Sequence, residues 1–110
     1  MPTSLTLDTA RSHEGNLTLV AAGEIDLSNI DAFDQALTTA TAQAAGSGET
    51  LVVDLSGVEY LDSAAINALF SRADHIRVIA HRLLMTSLTV SGLAELVTVE
   101  AAPGPSQDSS

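Results

Sequence analysis

The side chains best suited to chemistry fall in three short runs. Asp62-Ser63-Ala64-Ala65 follows the strand-like segment Leu51-Val52-Val53-Asp54-Leu55, and Glu24-Ile25-Asp26 closes an earlier alternating segment. In an open α/β sheet, ligands and partners meet the carboxyl ends of the strands. Glu24 to Asp26, Asp54 and Asp62-Ser63 are therefore expected to converge there, as carboxylates beside a helix start that carries a hydroxyl. Two readings follow. Asp62 or Ser63 caps the helix, which is worth about 1 kcal/mol, and acids nearby complement the helix dipole. Alternatively, Ser63 accepts a phosphate of roughly two negative charges, tolerated by the backbone N–H groups of a helix start. Beside Asp62 and Asp26 that charge would repel a docking partner without unfolding the domain. Ala64 and Ala65 favour helix and also let another backbone come close. Spacing alone leaves both readings open.

Other chemistries are excluded residue by residue. Ser63 with His75 or His81 and an acid is a hydrolase triad in name only. There is no G-x-S-x-G elbow, and proximity in sequence does not make a triad. His13, His75 and His81 are scattered without metal-ligand spacing, so surface or loop roles are expected and no metal. Asp54 near a strand end suggests a receiver-type phosphoacceptor, but that needs an acidic pair after the first strand and a lysine. Here the first strand ends Asp8-Thr9-Ala10-Arg11-Ser12, and the chain has no Lys. No Gly-rich phosphate loop is present. The expectation is a protein that is not an enzyme and holds no cofactor.

Composition narrows the partner. The chain has 110 residues, enough for one domain. A domain of this size buries roughly two thirds of its unfolded surface. At 45% hydrophobic residues and 3% aromatic ones with no Trp, the core must be Leu, Val, Ile and Ala. The net charge of −10, from 14 acids against 4 bases, opposes binding to nucleic-acid phosphates and to anionic membranes. Few aromatics also means few platforms for stacking bases. An acidic surface steers towards a basic partner, although it serves solubility equally. There is no cysteine, hence no disulfide or thiolate site. Met1 to Ser12 has no basic stretch followed by an apolar one, and no apolar run nears the roughly 20 residues of a membrane span. A cytoplasmic location without membrane insertion is expected.

The elements that must position these residues are legible as patterns. Ser4–Thr9 and Leu17–Gly23 alternate as half-buried strands, joined by a turn over Arg11–Asn16 pivoting at Gly15-Asn16. Ser28 and Asp31 have capping-box spacing before a helix carrying Ile30, Phe33, Leu37, Ala40 and Ala44 on one face, ended by Gly46–Gly48. Leu51–Leu55 is an apolar run with one acid, expected as an inner strand buried on both faces. Ile66, Leu69, Phe70 and Ala73 form the stripe of a short second helix. Ile76–Ala80 reads as a strand, His81–Gly92 as a helix through Leu84 and Leu88 with Gly92 as its stop, and Val97–Val99 as an edge strand. Residues 1–102 form the domain, and the Pro, Gly and Ser of 103–110 a disordered tail. The order β-β-α-β-α-β-α-β predicts an α/β fold, a mixed and mostly parallel sheet with an N-terminal hairpin and helices packed against it.

Three segments carry a family resemblance: Gly23–Phe33 (GEIDLSNIDAF), Leu51–Leu69 (LVVDLSGVEYLDSAAINAL) and Thr89–Leu96 (TVSGLAEL). Together they resemble the STAS domain of bacterial anti-sigma factor antagonists, over about Ser4 to Ala101. The resemblance implies a STAS-like fold and a role in transcription regulation by partner switching. The antagonist binds a serine-kinase-like, ATP-using anti-sigma factor and frees the sigma factor, and phosphorylation by that kinase releases it. The docking face it implies comprises Asp26, Leu27, Ser28, Asp62, Ser63, Ala64, Ala65, Asn67, His81 and Arg82. Asp26 matches the acid beside the switch serine, and His81-Arg82 stands where the family often has Asn-Pro. Such proteins commonly read D-S-S-G or D-S-T-G, the second hydroxyl taking the phosphate. Here that position is Ala64, followed by Ala65 in place of Gly. Three outcomes stay open: an always-competent antagonist, which is the preferred one, Ser63 as a displaced acceptor, or regulation elsewhere. On a helix start, one residue turns a side chain by roughly 100°, so a kinase site built for position 64 should miss Ser63. The competing reading is a soluble STAS subunit of a lipid-type ABC transporter complex in a membrane. Partners that co-purify would separate the two. A homodimer is also open.

Overall fold

The computed structural model describes residues 5–11, 16–92 and 98–101. Ser4, most of the expected turn with His13, the 93–96 portion of the third motif, Val97 and the tail at 103–110 lie outside the described residues.

Among the described residues, five strands and three helices alternate after an opening hairpin. The strands are β1 (Leu5–Arg11), β2 (Leu17–Ile25), β3 (Leu51–Leu61), β4 (Ile76–Ala80) and β5 (Thr98–Ala101). The helices are α1 (Ile30–Gly46), α2 (Ser63–Phe70) and α3 (Arg82–Ser91), with a single 3₁₀ turn at Ala73–His75. The sheet order is β1-β2-β3-β4-β5. β1 runs antiparallel to β2, with Leu5 opposite Gly23 and Arg11 opposite Leu17. The pairs β2–β3, β3–β4 and β4–β5 are parallel. This is the mixed, mostly parallel sheet that the element order predicts.

Every crossover steps to the next strand in the same direction. Right-handed connections then place all three helices on one face of the sheet. Burial agrees. Leu19, Ala21, Val53, Leu55, Val78 and Ala80 are fully buried or nearly so, together with Phe33, Leu37, Ala40 and Ala44 of α1 and Leu84 and Leu88 of α3. Between them in the strands, Val20, Asp54, Arg77 and Ile79 are only half-buried. The expectation that Leu51–Leu55 is covered on both faces is therefore corrected: helices cover one. Val52, on the other face between Thr18 and Arg77 in register, is also buried.

β3 departs most from expectation. It runs to Leu61 rather than stopping at Leu55. Its pairing with β2 shifts twice, once between Val20 and Ala22 and once between Gly23 and Glu24. Each shift inserts an extra residue in β3, the effect of a bulge. Leu55, Val58 and Leu61 thus all reach the core at a spacing of three. Gly57 sits inside the first shift. A Cβ there would lie 3.0 Å from the Ala22 Cβ, so a side chain at this position would crowd the close approach of β2 and β3.

Glu49, before β3, ties the hairpin to the sheet. Its Oε1 accepts the Leu17 amide at 2.9 Å, and its Oε2 accepts Arg11 Nη1 at 2.9 Å. The Leu17 amide, and then the Arg11 guanidinium, hold this carboxyl below the usual glutamate range. The end of α1 follows its sequence signal, with Ser47 and Gly48 donating back to Ala44 and Ala45, and Gly48 at φ +72. Gly92 likewise stops α3 at φ +89. α2 is shorter than its apolar stripe suggests. It ends at Phe70, and Ala73 packs from the 3₁₀ turn instead.

Candidate partner-docking surface

The surface is assembled where β2 and β3 end. Ile25 stands opposite Leu61 in the parallel ladder, and the Asp62 amide donates to the Ile25 carbonyl at 3.1 Å. This bond joins the turn after β2 to the start of α2, so Asp26 to Ser28 and Asp62 to Ala64 share one end of the sheet.

The start of α2 resolves one alternative. Asp62 is the N-cap in extended conformation, and its side chain accepts the Ala65 amide at 3.1 Å. Ser63 is the first helical residue and is exposed; Ala64 is half-buried. The cap is Asp62, not Ser63, which leaves the serine hydroxyl outside the capping arrangement. Ala65 is fully buried in the core. Its side chain does not line the surface, which corrects its place among the docking residues. A fully buried position here must be small because α2 lies directly on β3 and α1.

The turn after β2 is held by its own side chains. The Asn29 amide donates to the Asp26 carbonyl at 3.1 Å. Asn29 Oδ1 accepts the Asp26 amide at 3.0 Å, and its Nδ2 donates to the Glu24 carbonyl at 2.9 Å. Asp26 Oδ1 accepts both the amide and the hydroxyl of Ser28, at 2.9 and 2.6 Å. The expected capping box of Ser28 and Asp31 is therefore absent. Asn29 is the N-cap of α1 and makes no side-chain cap bond, because its side chain reaches back into the turn while Ser28 is engaged by Asp26. Asn29 escapes sequence reasoning because an Asn before a helix reads as an ordinary cap.

The other expected residues fall at different distances from this centre. Asn67 is exposed one turn further along α2, its carbonyl accepting from Ser71. His81 follows β4 and is half-buried, its Nε2 against the Val58 carbonyl of the β3 bulge. Arg82, exposed, opens α3. Asp54 does not join the cluster. It lies on the open sheet face, paired with Val20 and Ile79, and its Oδ1 is occupied by Ser56. Seven positions of strand separate it from Leu61, roughly 20 Å. Glu24 lies in β2, and its backbone, not its carboxylate, serves the turn. His75 is exposed in the 3₁₀ turn. Among the described residues, no group of three or more His, Cys, Asp or Glu is arranged to hold a metal ion. No described helix is long and apolar enough to cross a membrane.

Residues 9–101 match the family model described as Mlab, STAS domain. The chain belongs to the STAS-domain family. Among solved structures, this STAS domain is similar to an anti-sigma factor antagonist from Mycobacterium paratuberculosis, at 25% identity and a TM-score of 0.77. That likeness covers 96% of this chain and 90% of the other. The anti-sigma factor antagonist SpoIIAA in its unphosphorylated form shares the fold at 13% identity and a TM-score of 0.65, over 89% of each chain. An uncharacterized protein from Shewanella loihica with a SpoIIAA-like fold shares it at 14% identity and a TM-score of 0.59, over 94% of this chain and 89% of the other. No curated protein matches the sequence.

Proposed function

We propose that this STAS domain is an anti-sigma factor antagonist. It docks on a serine-kinase-like anti-sigma factor through the turn at Asp26–Ser28 and the start of α2, and so frees a sigma factor. The observation that carries the reading is the likeness to the mycobacterial antagonist along nearly the whole of both chains. The local structure supports a rigid recognition surface, since the cap at Asp62 and the bonds of Asn29 and Asp26 hold it in shape before any partner arrives.

Its regulation differs from the phosphate switch. Position 64 is alanine and offers no oxygen to a kinase. Ser63 is exposed but lies one residue earlier on the helix, turned by roughly 100°. The protein therefore stays competent to bind, and control lies in how much of it is made or in which partner is present. The decisive experiment mixes the purified protein with each serine-kinase-like anti-sigma factor of its host, with ATP. Binding, sigma-factor release and phosphate incorporation are then measured. Binding and release without incorporation support the reading; failure to bind any of them overturns it.

The second reading, a peripheral STAS subunit of a lipid-type ABC transporter complex, is favoured by the Mlab name of the matching family model. Its signature is co-purification with a transporter ATPase and permease.

A further inference from the structure

The tripeptide Asp-Leu-Ser occurs twice, at 26–28 and at 54–56. Both copies make the same local bonds: the aspartate Oδ1 accepts the serine amide at 2.9 Å and the serine hydroxyl at 2.6 Å. The leucines between them differ completely. Leu55 is fully buried in the core, whereas Leu27 is 76% exposed. The core explains Leu55. Nothing among the described residues covers Leu27, which sits second in the turn closed by Asn29 and Asp26. Such turns favour Pro, Asp, Asn, Ser or Gly, each for a backbone reason that leucine lacks.

A lone exposed leucine is ordinary. This one is held on a caged support. The Asn29 side chain bonds the Asp26 amide and the Glu24 carbonyl ahead of it, and Asp26 Oδ1 accepts from Ser28 behind it. The Asp62–Ile25 bond anchors the turn to α2, beside Ser63 and Ala64. A large apolar side chain on a support already ordered loses little freedom when it is covered, which is how interface anchors gain affinity. Asp26 precedes it in the turn, Asp31 lies in the first turn of the helix that follows, and Asp62 caps the α2 start to which the turn is bonded, on a chain of net charge −10.

We infer that Leu27 is the apolar anchor of the docking surface, entering a hydrophobic pocket of the partner that is bordered by basic side chains. This rests on the antagonist reading and adds to it the residue that carries affinity and the chemistry of the pocket. Asp26, Asp31 and Asp62 speed encounter with a basic rim, and Leu27 holds the complex once formed.

The test titrates purified wild type, Leu27→Asp, Leu27→Met and Val90→Asp against the purified serine-kinase-like anti-sigma factors of the host. Val90 is 82% exposed on α3 and serves as the apolar surface control. Circular dichroism and sedimentation accompany each variant. Leu27→Asp should weaken binding by roughly 10-fold or more, the loss of one buried leucine side chain. Leu27→Met should stay near wild type, Val90→Asp should be unaffected, and added salt should slow wild-type association. Undiminished binding by Leu27→Asp overturns the inference and leaves the antagonist reading standing. So does an equal loss in Val90→Asp, or a change confined to the protein's own sedimenting mass, which would make a second copy the occupant. A salt-independent association rate overturns the basic rim. Wild type that binds none of the kinases overturns both readings together.

Discussion

Gly57 offers the sharpest test of the bulged strand that carries the site. Glycine there does not adopt a positive φ, so alanine meets no backbone penalty. Without a steric obstacle, Gly57→Ala should stabilise the protein by about 0.4–1 kcal/mol, by restricting the unfolded chain. The obstacle is the Ala22 Cβ, 3.0 Å from where the new methyl would lie. Carbon atoms prefer about 3.5–4.0 Å, and both atoms are bonded directly to paired backbones that cannot rotate away. Overpacking of this kind costs about 1–3 kcal/mol. The net expectation is destabilisation by about 0.5–2 kcal/mol, or a fall in Tm of roughly 2–8 °C for a chain of this size. In an Ala22→Gly background the space is free. There the same substitution should change sign and stabilise by about 0.4–1 kcal/mol. Urea denaturation of the four proteins of this cycle gives the coupling directly, expected at about 1–3 kcal/mol. Additive effects, or a stabilised Gly57→Ala single variant, would refute the close approach of β2 and β3.

Other outcomes follow from the same structure. Asp62→Ala should cost about 0.5–2 kcal/mol through loss of the α2 cap, read by thermal denaturation, while Ser63→Ala should cost much less because Ser63 does not cap. Glu49 has its carboxyl held low in the folded state, so its contribution is present at neutral pH and is lost as pH falls through that lowered value. The stability gap between wild type and Glu49→Gln should therefore narrow on acidification from pH 7 to about pH 3; a gap that stays constant refutes the clamp. On the proposed antagonist reading, Ala64→Ser should supply an acceptor, so that incubation with a serine-kinase-like anti-sigma factor and ATP yields a phosphorylated protein that no longer binds, as mass spectrometry and a binding titration would show. An Ala64→Ser protein that stays unmodified would count against position 64 as the acceptor of the proposed partner.

Much of this arrangement is legible in the order of residues because local chemistry dictates it. Helical periodicity at Phe33, Leu37, Ala40 and Ala44 reports a buried face, and all four are buried. Glycines at 48 and 92 mark helix stops because both take positive φ, which other residues resist. Alternation at Leu17, Leu19 and Ala21 reports a strand with one face covered. Net charge, the lack of lysine and cysteine, and the alanine at position 64 are facts of sequence that no fold can change. The element order with right-handed connections sufficed to predict a mostly parallel sheet.

Tertiary structure decided the rest, because each remaining feature depends on partners distant along the chain. The spacing of three among Leu55, Val58 and Leu61 looks like neither strand nor helix until pairing with β2 supplies the bulges that turn each inward. Asp54 and Asp26 look alike in sequence, each heading Asp-Leu-Ser. Only the sheet register sends one to the middle of the open face and the other to the end where α2 begins. Ala64 and Ala65 are likewise indistinguishable as letters. The helix leaves the first half-buried at the candidate surface and packs the second wholly inside, since adjacent residues on a helix point roughly 100° apart.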